Sequence, residues 1–237
     1  MKQLKTGIFL FQLFIFLNVI PSLHAQELAD EDDFSPPPRK GYRHNFMLDM
    51  GVPHYVYNPA NARAFKAIGN ISASYHIRLW KGLSIGPMLR FTGFNIWNPR
   101  FNQSNPLSLT FMATFDIMYE VPMGERFAYI PCLNVGVGYI FYNNLLLPKK
   151  GVDHVPPKTL TDIGVIVNLN NGFYYYVKNN KRTGVGLVLG ATYFSHEFNK
   201  KATGLQSDET VYNHSDKGPS INLTIGFGII SRFGKVE

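Results

Sequence analysis

The sequence predicts an all-β chain, an eight-stranded antiparallel up-and-down transmembrane β-barrel with short periplasmic turns and long extracellular loops. Three observations carry that prediction. Eight segments alternate apolar and polar residues, the links between them alternate short and long, and large rings collect toward segment ends. Strict period two marks a strand with one apolar and one polar face.

The amino terminus sets the compartment. Lys2 and Lys5 precede the apolar run GIFLFQLFIFLNVI, and PSLHA ends on small Ala25 before Gln26. A positive region, an apolar core and a small-residue cleavage site make residues 1–25 a secretory signal peptide. No Cys follows the cleavage point, so a lipid anchor is not expected there. Residues 26–41, QELADEDDFSPPPRKG, join an acidic cluster to a triple proline. Such a stretch stays extended and solvated, and its acidic part offers a docking tail to a periplasmic protein partner.

Residues 42–237 form the expected barrel. Charged residues make up only 16% of the chain, against ~25% in soluble domains, and aromatics reach 14%. Cys132 is the single cysteine, which rules out an intramolecular disulfide. No window after the signal peptide approaches the ~20 apolar residues of a spanning helix. The net charge of +7 falls when Lys2 and Lys5 leave with the signal peptide. An excess that small, outside the cell, excludes nucleic acid as a partner.

The strands are expected at roughly 42–52, 66–80, 83–97, 107–121, 126–142, 162–178, 183–196 and 220–234. In the fourth, Leu107, Leu109, Phe111, Ala113, Phe115 and Ile117 share one face, opposite Ser108, Thr110, Met112, Thr114 and Asp116. In the eighth, Ile221, Leu223, Ile225, Phe227, Ile229 and Phe233 alternate with Asn222, Thr224, Gly226, Gly228 and Arg232. These runs exceed the ~5–6 residues of soluble strands and reach the ~9–11 that a tilted strand needs to cross a bilayer.

Short links fall at Lys81-Gly82, Pro122–Glu125 and Asn179–Arg182, and long ones at about 53–65, 98–106, 143–161 and 197–219. That alternation belongs to up-and-down membrane barrels, and an even strand count leaves both termini in the periplasm. Tyr42, Trp80, Tyr119, Phe127, Tyr129, Tyr174, Tyr175, Tyr176 and Phe233 fall toward the short-link end. Trp97, Tyr139, Phe141 and Tyr193 fall toward the other. Two such belts suit the two membrane interfaces, so the apolar faces are expected to meet lipid.

By this pattern, over residues 42–237, the chain resembles the small eight-stranded outer-membrane barrels of the OmpA transmembrane domain and OmpX type. Its signal peptide and closing GFGIISRFG are similar to barrels of the Bacteroidota. The resemblance implies an outer-membrane location in a Gram-negative cell envelope. It also implies that Phe233 acts as the terminal aromatic read by the outer-membrane assembly machinery.

Parity turns Arg43, Asp49, Asn70, His76, Arg78, Arg90, Asp116, Glu120, Asp162, Asn168, Asn170 and Arg232 inward. Eight strands enclose a lumen just wide enough to be filled by side chains, and buried charges there must pair. The expectation is a salt-bridged plug of Arg43, Asp49, His76, Arg78, Arg90, Asp116, Glu120, Asp162 and Arg232. An ion path is the alternative, but open channels of this kind use ~16–18 strands.

Enzymes exist on this scaffold. By resemblance to lipid A deacylases, His196-Glu197-Phe198-Asn199 is the nearest match to their His-x-Ser-Asn motif, but it lacks the Ser and His196 points inward. Ser195 points outward without a His on its face, whereas a serine nucleophile needs a base within reach. The palmitoyltransferase type uses a loop His with Ser and Asp; His54 falls in the first loop, and Ser104 in the second has no Asp beside it. No catalytic residue, cofactor or metal ligand set is therefore assigned. His154 and His214 fall in different loops without ligand spacing, and the surface pairs Asp153-His154 and Asp208-Glu209 are the cation candidates. Lys149, Lys150, Lys200 and Lys201 are candidates for lipopolysaccharide phosphates, and Leu145, Leu146 and Leu147 prolong a strand at the membrane rim.

The function expected is non-enzymatic: a membrane anchor and scaffold whose surface loops make contacts with lipid, lipopolysaccharide or protein. The alternatives are an accessory subunit of a secretion or outer-membrane assembly complex, and a lipid A-modifying enzyme.

Overall fold

Period-two segments become strands because each can bury one face and leave the other against a different medium. The computed structural model describes residues 42–58, 62, 64–96, 107–145, 158–177, 182–196 and 218–235. Eight long strands run antiparallel: β1 Tyr42–Tyr57, β2 Phe65–Trp80, β3 Leu83–Ile96, β4 Leu107–Tyr119, β6 Phe127–Leu145, β7 Lys158–Tyr176, β8 Thr183–Phe194 and β9 Ser220–Lys235. The two-residue β5, Val121–Pro122, continues β4 past Glu120 and pairs with Tyr129 and Ala128 of β6. Each strand pairs with its neighbours in sequence, and β1 pairs with β9 from Tyr42–Lys235 to Tyr57–Ile221, which closes the ring. Closure joins the first strand to the last, so the hydrogen-bonded ladder runs around the ring.

The two faces differ as the alternation requires. Outside stand exposed Met50, Val52, Ile68, Phe115, Ile163, Ile225 and Phe227, the last 73% exposed. Soluble monomers rarely expose apolar patches beyond a few hundred Å². A belt of this kind around a closed barrel belongs in lipid, and the fold is a transmembrane β-barrel. Trp80, Phe127 and Phe233 are exposed at the end that carries the tight turns, and Tyr139 and Phe141 toward the other. The phenol of Tyr129 donates to Asn171 Oδ1 at 2.6 Å on the outer wall, which satisfies a polar side chain facing away from the lumen.

Several boundaries and faces differ from the sequence reading. β1 runs through Pro53 to Tyr57 rather than stopping near 52. Its pairing with β2 ends at Gly51–Asn70, so beyond that point β1 pairs with β9 alone and tolerates a proline. The first loop shrinks accordingly to residues 58–64. Asn58, with φ of 67°, sits at its start in the left-handed region that Asn tolerates. β7 begins at Lys158 rather than 162. Tyr174 and Tyr176, expected in the aromatic belt, point into the lumen and are 1% and 0% exposed. In the run Phe173-Tyr174-Tyr175-Tyr176 every residue is aromatic, so strand parity alone sorts the faces.

The lumen is packed in layers. Toward the long-link end, Tyr55, Phe65, Phe94, Met112, Ile140, Tyr142, Ile166 and Phe194 form an apolar cluster. The Tyr55 ring lies 4.7 Å from that of Phe94. Toward the turns, Met47, Met118, Ile130, Cys132, Tyr174, Tyr176, Val188 and Ile230 form another. Between and beside them run the polar groups. The predicted plug of charges is thus only part of what fills the barrel.

The signal peptide 1–25, the leader 26–41, Trp97, Ser104, Leu146, Leu147, Lys149, Lys150, Asp153, His154, Lys200, Lys201, Asp208, Glu209 and His214 lie outside the described residues.

Candidate functional site

Inward positions on consecutive strands meet at matched heights because the ladder fixes the register. Asp116 of β4 stands opposite Asn134 of β6, which stands opposite Asn168 of β7, and Asn168 opposite Thr192 of β8. This register makes a belt of short polar side chains around half the lumen. Asn168 Nδ2 donates to Asn134 Oδ1. Thr192 Oγ1 donates to Asn168 Oδ1 at 2.7 Å, and Arg90 Nη1 to Thr192 Oγ1 at 3.5 Å. Each amide and hydroxyl thereby recovers part of the solvation it lost.

Eight of the nine charged candidates separate into three groups. Near the turns, Glu120 Oε2 receives Arg78 Nη2 at 2.8 Å and Arg232 Nη2 at 2.9 Å. Arg232 also donates to the Tyr176 hydroxyl and lies over its ring, 4.4 Å from the centroid. One carboxylate held between two guanidiniums, both with hydrogen-bonded contacts, is an arrangement in which burial is tolerated.

At mid-barrel, His76 Nε2 lies 3.3 Å from Asp116 Oδ2, and both residues are 1% exposed. Thr114 Oγ1 donates to Asp116 Oδ1 at 3.0 Å, and Asn134 Nδ2 to Cys132 Sγ at 3.0 Å. Asp49 accepts from the Tyr174 hydroxyl at 3.1 Å, and buried Arg90 donates to Thr192 and approaches the Met88 sulfur at 4.0 Å. A cavity of about 10 Å³ lies among Met47, Asp49, His76, Met88, Asp116 and Cys132. That is room for one water-sized guest. His76, Asp116 and Cys132 present a nitrogen, an oxygen and a sulfur within 4.8 Å of one another, and could hold a metal ion. No local sequence motif announces them, since they come from β2, β4 and β6 and only the register joins them.

At the far mouth, Asp162 Oδ2 lies 2.7 Å from His196 Nδ1, and His196 Nε2 lies 2.8 Å from the Tyr142 hydroxyl. The Asp162 side chain is 48% exposed and that of His196 is 5%. Arg43 stands apart from all three groups: it is exposed at the turn-end rim. β1 begins one residue earlier, so its long side chain reaches water.

The catalytic alternatives fare poorly in this geometry. Ser195 is exposed on the opposite side of the wall from His196, and its Oγ accepts the Val165 N–H at 2.8 Å. His54, expected in a loop, lies within β1 opposite Leu223 and faces outward. The hydroxyl that His196 does meet belongs to Tyr142, buried in the apolar cluster.

No family model matches the chain, and no curated protein matches it. Among solved structures it is similar to Neisserial surface protein A, at 8% identity and a TM-score of 0.47, covering 80% of this chain and 97% of that one. It is similar to Ail, the attachment invasion locus protein of Yersinia pestis, at 8% identity and a TM-score of 0.39, covering 79% and 97%. A third is the N-terminal β-barrel domain of Pseudomonas aeruginosa OprF, at 11% identity and a TM-score of 0.36, covering 81% and 99%.

Proposed function

We propose that the protein is a non-enzymatic outer-membrane barrel that anchors and scaffolds, its function residing in the surfaces it presents rather than in the lumen. The observation that carries this reading is the filled interior. Aromatic and aliphatic clusters and the Glu120 ion pairs fill the lumen among the described residues, beside a cavity the size of one water. The apolar belt supports lipid as the surrounding partner.

On this reading the chain is a Bacteroidota-type relative of the OmpA and OmpX barrels, exported by residues 1–25 and inserted with its turns in the periplasm. Phe233, 47% exposed on the outer wall, serves the outer-membrane assembly machinery as the terminal aromatic. The acidic leader 26–41 reaches a periplasmic protein, and the far-side loops contact lipopolysaccharide.

Lipid A mass spectrometry of a deletion strain and its complemented parent tests the non-enzymatic reading. Identical acyl patterns are expected. An acyl chain gained or lost on deletion, and reversed by complementation, would overturn it and direct attention to Ser195, His196 and His54. A pull-down through the barrel from the same membranes addresses the accessory-subunit reading. There, a stoichiometric partner that is lost with residues 26–41 would identify the leader as a docking tail.

A further inference from the structure

We propose that His76, Asp116 and Cys132 form an intraluminal site for a single thiophilic divalent transition-metal ion, of which Zn²⁺ is the class the donor set suits. The inference goes beyond the scaffold reading and does not rest on it.

The donors come first. Imidazole, carboxylate and thiolate together are a borderline-soft set, and four-coordinate Zn²⁺ accepts all three. Hard cations such as Mg²⁺ take oxygen ligands and have no use for the sulfur. All three residues are buried, so the cluster is not a solvated group of surface acids. The three donor atoms lie within 4.8 Å of one another. Bond lengths of ~2.0–2.3 Å place ligand atoms of a tetrahedral site roughly 3.3–3.8 Å apart. Closing the site thus asks for about an ångström of side-chain movement, available through χ rotations toward the adjoining cavity.

A second, independent observation points to a guest. His76 is 1% exposed and lines the cavity, yet its Nδ1 has no hydrogen-bond partner among the described residues. Buried polar atoms are almost always paired. An ordinary His–Asp ion pair accounts for Nε2 but leaves Nδ1 without a role. An ion in the cavity, bound through Nδ1, gives that nitrogen a partner.

The surroundings fit the same guest. Thr114 donates to the Asp116 oxygen that does not face His76, and Asn134 donates to the Cys132 sulfur. Outer contacts of this kind orient ligands and tune their basicity. Asp49 lines the cavity beside the three donors, and the thioethers of Met47 and Met88 add soft walls. The charge balance also closes. Binding releases the thiol proton of Cys132 to solvent, and the dication then offsets one thiolate and one carboxylate.

The test uses the full mature chain refolded in detergent micelles, with the folded form verified by heat-modifiable gel mobility. After equilibration with Zn²⁺ and desalting, metal content is read by plasma mass spectrometry. About one zinc per chain is expected, falling at least tenfold in Cys132→Ser and in His76→Gln. Because a lumen variant can fail to fold, a second measurement is made on the unaltered chain. Co²⁺ is added, and the near-ultraviolet thiolate-to-metal charge-transfer band and tetrahedral visible bands are sought. Retained zinc with a thiolate–cobalt band supports the site. No retention by the folded chain, retention unchanged in both folded variants, or a cobalt spectrum without thiolate character would overturn it.

Discussion

Glu120, which follows β4, and Arg232, near the end of β9, meet inside the barrel at 2.9 Å although their side chains are only 6% and 4% exposed. The pair ties the middle of the chain to its last strand. Arg78 of β2 joins the same carboxylate oxygen at 2.8 Å, so three strands converge on one acid.

Removing that acid should be costly. Glu120→Ala leaves the Arg78 and Arg232 guanidiniums without the carboxylate they share. Breaking a buried pair costs about 3–5 kcal/mol, more than the net worth of the pair itself. Equilibrium unfolding in urea, in the presence of lipid vesicles, should show a loss of that size. A loss below about 1 kcal/mol, the range of solvated surface pairs, would mean that water reaches this group.

The outer face gives a second test. Phe227 is 73% exposed at the middle of β9. A basic residue on the lipid face of a barrel costs about 2–4 kcal/mol at the bilayer midplane and little near the interfaces. Phe227→Arg should therefore destabilise the folded barrel by that amount in bilayers, and Phe233→Arg, on the same face at the turn end, should cost clearly less. Equal effects at both positions would contradict a lipid-facing β9.

Close backbone packing under His76 gives a third. Gly86 of β3 faces inward directly beside β2, where a β-carbon would collide with the backbone of Tyr75 and His76. The neighbouring Pro87 coincides with a gap in the β2–β3 ladder between Ser74–Met88 and Ile77–Ile85. Gly86→Ala should cost about 1–3 kcal/mol, as overpacking does. At Gly93 of the same strand the nearest side-chain atoms are 3.6 Å from an added β-carbon, so Gly93→Ala is expected to be tolerated in the same unfolding assay.

Much of the architecture was legible because one rule governs it. Period two fixes which residues share a face, and the patterned runs Leu107–Val121 and Ser220–Gly234 became β4 with its β5 continuation and β9 almost as read. Where the rule gives no contrast, the reading failed. Phe173 to Tyr176 are aromatic on both faces, and Pro53 looks like a strand breaker unless the neighbouring pairing is known. The small inward residues Gly172, Gly186 and Gly228, whose added β-carbons would all meet Tyr174, are the sequence signal that a large ring occupies that part of the lumen.

The mid-barrel cluster was less legible for another reason. His76, Asp116 and Cys132 were each identified or placed by parity, but their meeting depends on the stagger of β2, β4 and β6, which alternation does not encode. The same holds for Asp162 with His196, whose approach depends on how far β8 extends against β7 at the mouth.

The filled lumen is tested most directly by electrical recording. The purified chain, inserted into a planar bilayer in 1 M KCl and verified as folded, should give no stable unitary conductance steps, because packed side chains and the Glu120 ion pairs occupy the interior. Reproducible steps that scale with salt concentration, and that change in Glu120→Ala, would contradict a closed barrel and make the lumen a path.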